Sequence, residues 1–330
     1  MIEISAGIDM TALTLGALAL AVLLETLAPL RPAEQLTRRW LHNGALAVVT
    51  YMTSYFLITA VALWVVHWSS ELPGLSLELS AALPLWVQCV IVFFTVECCR
   101  YGIHWLSHTV PLFWRLHAIH HADPEVDAAT AFRHHPFEGL IGVIPVTLLT
   151  VVLGAAPAAL IFYRAIDLAM TVWTHTNIRL PANVEKALGC VIVTPRFHRT
   201  HHFAERQYTD SNYGSITPWF DFLFGTYRSV SDQQDAEAPL GLGWDPVVAS
   251  RLDHLSLAPA TNSPLQQGAS DEAAEPVRST APSVGLNQKS SLSSDVRCCV
   301  IRPSVTTNSS RPDATRPSAP VISQPTSARW

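Results

Sequence analysis

Residues 104–121 read HWLSHTVPLFWRLHAIHH, five histidines in eighteen positions. His104 and His108 are four apart. His117, His120 and His121 are spaced i, i+3, i+4. On a helix, residues three and four apart share a face. Pro111 separates the pair from the triplet and predicts a helix boundary. Beyond His121 by 77 residues, HRTHH at 198–202 repeats the triplet as His198, His201 and His202. His134 and His135 stand between them in FRHHP, and His175 stands in THTN. His42, His67 and His254 lie outside these motifs and are read as ordinary.

Neutral imidazole is the commonest metal ligand near physiological pH. Eight histidines in helical register exceed the four that a tetrahedral zinc accepts. The spacing therefore predicts two ions of higher coordination number. Nitrogen donors suit iron, zinc, copper or nickel, and the scarcity of carboxylates excludes magnesium and calcium.

The surrounding chain reads as a membrane protein. Mean hydropathy is +0.25 and 14% of the 330 residues are charged, against about 25% in a soluble domain. A net charge of −5 leaves no basic footprint for nucleic acid. Apolar stretches occupy 11–30, 44–66, 83–103 and 139–175, the last broken by GAAP at 154–157 and so read as a helical hairpin. Its arms are short for the roughly 20 residues of a full span. Arg164 and Asp167 inside the second arm are i, i+3 and are expected to pair, since charges in lipid rarely stand alone. Arginines and lysines alternate between short loops so that the N-terminus is expected outside and every histidine motif on the cytoplasmic side. Residues 261–330 are rich in Ser, Pro, Thr and Ala and are expected to be disordered. The six cysteines show no C-x2-C spacing and are read as reduced. The expected organisation is N-terminal transmembrane helices at 1–82, a catalytic domain at 83–260 that includes the hairpin, and a polar tail at 261–330. The fold class is all-α, a polytopic membrane helical bundle with a histidine-rich di-metal site on its cytoplasmic side.

The motifs HWLSH, WRLHAIHH, FRHHPFE, THTNIRLP, TPRFHRTHH, TDSNYG and FDFLFGTY, in that order, resemble the fatty acid hydroxylase/sterol desaturase superfamily of integral membrane di-metal oxygenases, in its bacterial-type form. The resemblance covers roughly residues 85–228. It implies two iron ions (zinc is possible in the isolated protein), O2 as cosubstrate, and the ligands His104, His108, His117, His120, His121, His198, His201 and His202, with His135 and His175 added. His134 is the less favoured member of its pair. Asn177, Asp210, Asn212 and Tyr213 match motif positions near the site. Glu97 is expected either to accept a ligand N–H or to stand as a helix-end charge at the membrane interface. Glu97 and Trp105 depart from the Asp and Arg usual there. The implied function is hydroxylation of a lipid or sterol-like substrate that enters from the bilayer of a bacterial inner membrane. The alternative within the family is C–C desaturation. No flavin, haem or dinucleotide fingerprint is present, so a separate donor, a ferredoxin or a cytochrome with its reductase, is expected. Two other classes make different demands on the sequence. A histidine-rich metal transporter would carry its sites near the bilayer midplane, and a zinc hydrolase would carry H-E-x-x-H, which is absent.

Overall fold

Helix α1 (Met10–Leu27) starts where the Asp9 carboxylate accepts the N–H groups of Thr11 and Ala12, at 2.9 and 3.1 Å. This satisfies donors that a helix start leaves bare. The computed structural model describes residues 9–32, 38–72 and 74–243. Helix α2 (Arg38–Ser70) follows and carries one π-helical turn at Ser54–Ile58. Helix α3 (Leu85–Thr109) ends just before Pro111, which sits in the first turn of α4 (Pro111–His121). The hairpin is α5 (Gly139–Leu153) and α6 (Pro157–His175). Three shorter helices complete the part that concerns the site: α7 (Ala182–Leu188), α8 (Pro195–His201) and α9 (Trp219–Phe224). A last helix, α10 (Asp232–Glu237), begins with a Ser231/Gln234 capping box. Among the described residues there is no strand, only the isolated bridges Pro29–Ile178 and Phe203–Leu240. The fold is all-α.

Three of the described helices are long and apolar enough to cross a membrane: Met10–Leu27, Arg38–Ser70 and Leu85–Thr109. Their outer faces are apolar. Leu15, Leu20, Leu23 and Leu27 of α1 and Tyr51, Phe56, Leu63 and Trp64 of α2 are each more than half exposed. A continuous surface of this kind is unfavourable in water and suits lipid. Helix α5 has 15 residues, about 22 Å at 1.5 Å per residue, short of the roughly 30 Å hydrocarbon core. Helix α6 carries the expected ion pair: Arg164 Nη1 lies 2.7 Å from Asp167, whose other oxygen receives Arg100 at 3.1 Å.

Helix α3 is the central element and packs against α4, α5 and α6, while α1 packs on α6. Leu79, Val92, Val96, Leu153, Ala159, Tyr163 and Ile216 form the buried cluster that joins α3 to the hairpin. Ala21, Ala128 and Val172 join α1 to α6. The turn of the hairpin is Gly154, at φ +57°. A Cβ there would stand 3.0 Å from the Glu78 nitrogen and would overlap Ser76 Oγ. The carbonyls of Val152 and Gly154 accept from Leu77 and Ser80, so the 77–80 segment is fastened beneath the tip.

Cys89, Cys98 and Cys99 are free thiols, as expected. Cys190 is disulfide-bonded, which corrects its reading as reduced. The disordered tail expected at 261–330, His254 and the last two cysteines lie outside the described residues.

Gly154→Ala is expected to lower the thermal unfolding midpoint in detergent, at about 1–2 kcal/mol for the left-handed conformation alone. Gly16→Ala, with nothing within 4 Å of the added methyl, should leave the midpoint unchanged or slightly raised.

Candidate metal centre

Four segments deliver histidines to one place. They are the end of α3 (His104, His108), α4 (His117, His120, His121), the end of α6 (His175), and α8 with the residue after it (His198, His201, His202). The ligand-capable nitrogens form two sets. His104, His108, His117, His121 and His201 form one, and His120, His175, His198 and His202 the other, with nitrogens within 4.8 Å of one another in each. The i, i+4 pairs 104/108, 117/121 and 198/202 each stay together. The i+3 members cross over: His120 joins the set of His198 and His202, and His201 joins that of His117 and His121. Helix geometry accounts for this. Residues i+3 and i+4 diverge by about 100° around the axis, so one H-x2-H-H turn addresses two points.

The second nitrogens are tied down. Nδ1 of His104 donates to the Tyr213 carbonyl at 2.8 Å, and Nδ1 of His117 to Glu138 at 2.8 Å. Nδ1 of His120 donates to the Arg133 carbonyl at 3.1 Å, that of His175 to the Thr171 carbonyl at 2.7 Å, and that of His201 to the Ser211 carbonyl at 2.6 Å. An imidazole with its proton held on Nδ1 presents a bare lone pair at Nε2. Those lone pairs face one another: His104 Nε2 lies 3.1 Å from His117 Nε2, and His120 Nε2 lies 3.1 Å from His175 Nε2. The Nε2 of His201 is buried with no hydrogen-bond partner, as are both ring nitrogens of His108. Burial, and then the neighbouring imidazoles, hold His120, His121, His198, His201 and His202 well below the usual histidine range. These five rings are therefore neutral. Neutral rings with facing lone pairs repel unless a cation lies between them. Metal–imidazole bonds of about 2.0–2.1 Å place adjacent ligand nitrogens about 3 Å apart, so the residues fit two metal ions. The five-nitrogen set exceeds a tetrahedral zinc site.

His135 is not brought into either set. Its Nδ1 accepts from the Phe137 N–H at 3.1 Å, which places its own proton on Nε2, where a metal would need the lone pair. His134 is also outside both sets. Its ring stacks on His120 with centroids 4.7 Å apart, and its Nδ1 meets Glu138 at 3.1 Å. Burial alone would raise the Glu138 carboxyl, but the imidazoles of His134 and His117 hold it well below the usual carboxylate range.

The other expected residues support the site from further out. Tyr213 offers its carbonyl to His104 and packs its ring against His104, His108 and His201. Asp210 bonds Arg206 at 2.7 Å and stands 3.5 Å from His108 Nδ1. Asn212, at φ +55°, clasps the Phe197 and Arg228 carbonyls with its amide nitrogen. Asn177 links to Arg31 and to the Glu25 carboxylate and touches no histidine. Glu97 likewise reaches no ligand. It accepts from Tyr163 Oη, Ile216 N and Thr217 N, because it sits seven residues before His104, about 10 Å lower along the helix.

Four residues without an expected role prove central. Glu138 holds His117. Asp221 accepts from Tyr213 N, Gly214 N and Thr226 Oγ1 and so aims the carbonyl that holds His104. Arg133, fully buried, supplies the carbonyl for His120. Asp235 binds Arg199, which lies between His198 and His201. Glu138 and Asp221 stood inside the motifs FRHHPFE and FDFLFGTY, where their acidic side chains in apolar surroundings were the available signal.

Residues 89–226 match the Fatty acid hydroxylase family. The chain is 24% identical to alkylglycerol monooxygenase of Homo sapiens over 50% of its own length and 39% of that protein's. It is 29% identical to the ornithine lipid hydroxylase OlsE of Rhizobium tropici, over 44% of the chain and 43% of the relative. It is 32% identical to the Delta(7)-sterol-C5(6)-desaturase of Nicotiana tabacum, over 41% and 48%. The chain thus spans less than half the length of these relatives. No solved structure is significantly similar to it. The fatty acid hydroxylase segment contains all nine histidines of the two sets.

Two outcomes follow for this site. Glu138→Ala should weaken metal binding about 10- to 100-fold, as loss of a carboxylate behind a ligating histidine does, whereas Asn177→Ala should not; competitive metal titration reads both. Burial pushes the Asp221 carboxyl up to about 6, above its ordinary range. The folded state therefore holds this proton more tightly than the unfolded chain, and that contribution to stability is lost as pH rises from about 4 through 6. The stability of the parent relative to Asp221→Asn should fall over that interval in thermal unfolding.

Proposed function

We propose that the chain is a membrane-embedded, non-haem di-iron oxidoreductase that hydroxylates a C–H bond of a lipid or sterol-like substrate with O2. The observation that carries this reading is the pair of buried histidine sets whose Nε2 atoms face one another at 3.1 Å. His104, His108, His117, His121 and His201 would hold one ion and His120, His175, His198 and His202 the other. Iron bound there supplies the oxygen chemistry that side chains lack, with electrons from outside. Zinc fits the same donors but has no redox chemistry.

The chain's own residues do the rest. Burial of the rings keeps them unprotonated and excludes bulk water. The carbonyls of Tyr213, Arg133, Thr171 and Ser211 and the carboxylate of Glu138 fix the tautomers of His104, His120, His175, His201 and His117. The apolar outer faces of α1, α2 and α3 support a bilayer location and lateral entry of a lipid substrate. The arginine and lysine pattern supports a bacterial inner-membrane protein with its site on the cytoplasmic side. A ferredoxin or a cytochrome with its reductase is the proposed electron donor. The similarity to a plant protein named as a sterol desaturase favours a second reading, in which a C–C double bond forms instead of an alcohol.

The test is anaerobic reconstitution with ferrous iron, followed by turnover of bacterial lipids under isotopically heavy O2. Two irons per chain and an O2-dependent product carrying heavy oxygen are expected. Both are lost in the His120→Ala/His201→Ala double variant. An unlabelled, newly unsaturated product establishes the desaturase instead. No bound metal, or turnover that is independent of O2, contradicts the proposal.

A further inference from the structure

The polar groups behind His120 lead out of the family segment. The Arg133 carbonyl receives His120 Nδ1 at 3.1 Å. The guanidinium of the same residue is fully buried; its Nε donates to the Ile119 carbonyl at 2.7 Å and its Nη1 to Asn43 Oδ1 at 2.8 Å. Asn43 Nδ2 donates in turn to Asp123 at 3.0 Å. Asp123 also receives Arg39 at 2.9 Å and Thr130 Oγ1 at 2.8 Å, and Arg39 pairs with Asp127. Asn43 is 1% exposed and Asp123 is fully buried. Arg39 and Asn43 stand on α2, one helical turn apart, well before residue 89 where the family match begins. On the same face Leu46 is fully buried, and Thr50 donates to the His134 carbonyl at 2.8 Å.

A buried amide that both accepts from a guanidinium and donates to a carboxylate has one orientation. Turning it over would face two donors and two acceptors toward each other. Arg133 is thereby held at both ends of its planar fork, by Asn43 on one helix and by Ile119 next to His120 on another. The Arg133 carbonyl has little freedom to leave His120. A separate route from α2 to the five-membered set starts at Thr50, through His134 and Glu138 to His117, and does not pass through Asn43.

We infer that Asn43, on a helix outside the matched family segment, is a positioning residue for the four-histidine set, acting through Arg133 on His120. The inference rests on the metal-centre reading above. It assigns the N-terminal region a part in building one of the two sites, beyond anchoring the chain.

The test is a titration of the full-length, detergent-solubilised apo chain with cobalt(II), followed by optical absorption. The parent is expected to show two binding phases, and His198→Ala identifies the one that belongs to the four-histidine set. Asn43→Ala should weaken that phase about tenfold and leave the other unchanged. Asn43→Asp keeps an acceptor for Arg133 but turns an acceptor toward Asp123, so it should weaken the same phase and leave the other unchanged. Leu46→Ala is the control for packing alone: it should lower the thermal midpoint and move neither phase. If Asn43→Ala does not fold, Arg133→Lys decides, since it keeps the buried charge but gives up the fork, and the same selective weakening is expected. A parent with two phases and variants in which both phases hold, or weaken equally, overturns the inference alone. A parent that binds no cobalt overturns the metal-centre reading as well.

Discussion

The structure turns on neutral imidazoles placed lone pair to lone pair in a buried space. That arrangement is unfavourable by itself, so it requires both a cation and a scaffold that holds each ring against relaxation. The scaffold works through the far side of the rings. His175 leans on its own helix through the Thr171 carbonyl. His104 and His201 lean on the loop at 211–213, which Asp221 in turn holds by its backbone. His117 leans on a carboxylate and His120 on the Arg133 carbonyl. The helical framework exists in this sense to bring five hydrogen-bond acceptors, four backbone carbonyls and one carboxylate, to the right depth.

Much of this was legible in the sequence because helical periodicity is local. The spacing of His104 with His108, and of the two H-x2-H-H triplets, already required shared faces. The GAAP break already predicted the helical hairpin of α5 and α6. The division of the nine histidines was not legible. It depends on how α4 and α8 are rotated relative to each other, which is a property of tertiary packing. The same holds for Glu97. A carboxylate near a ligand in sequence was read as a partner, but two helical turns of separation carry it to the hairpin and the 216–217 loop instead. His135 stands apart from both sets for a more local reason: the turn after it offers a backbone N–H to its Nδ1.

The carboxylates show what a search for metal ligands overlooks. Glu138, Asp221 and Asp235 touch no metal-facing nitrogen. Each fixes a group that does, or a residue beside one, and each pairs with a partner distant in sequence or with backbone that no pattern of side chains reveals.

X-ray absorption at the iron edge of the anaerobically reconstituted protein tests the central claim most directly, because it reads the atoms that surround the metal. The account predicts between four and five imidazole nitrogens per iron, as the two sets of five and four require, with the outer-ring scattering of histidine and no sulfur. A shell dominated by oxygen or sulfur, or iron without imidazole scattering, would contradict it.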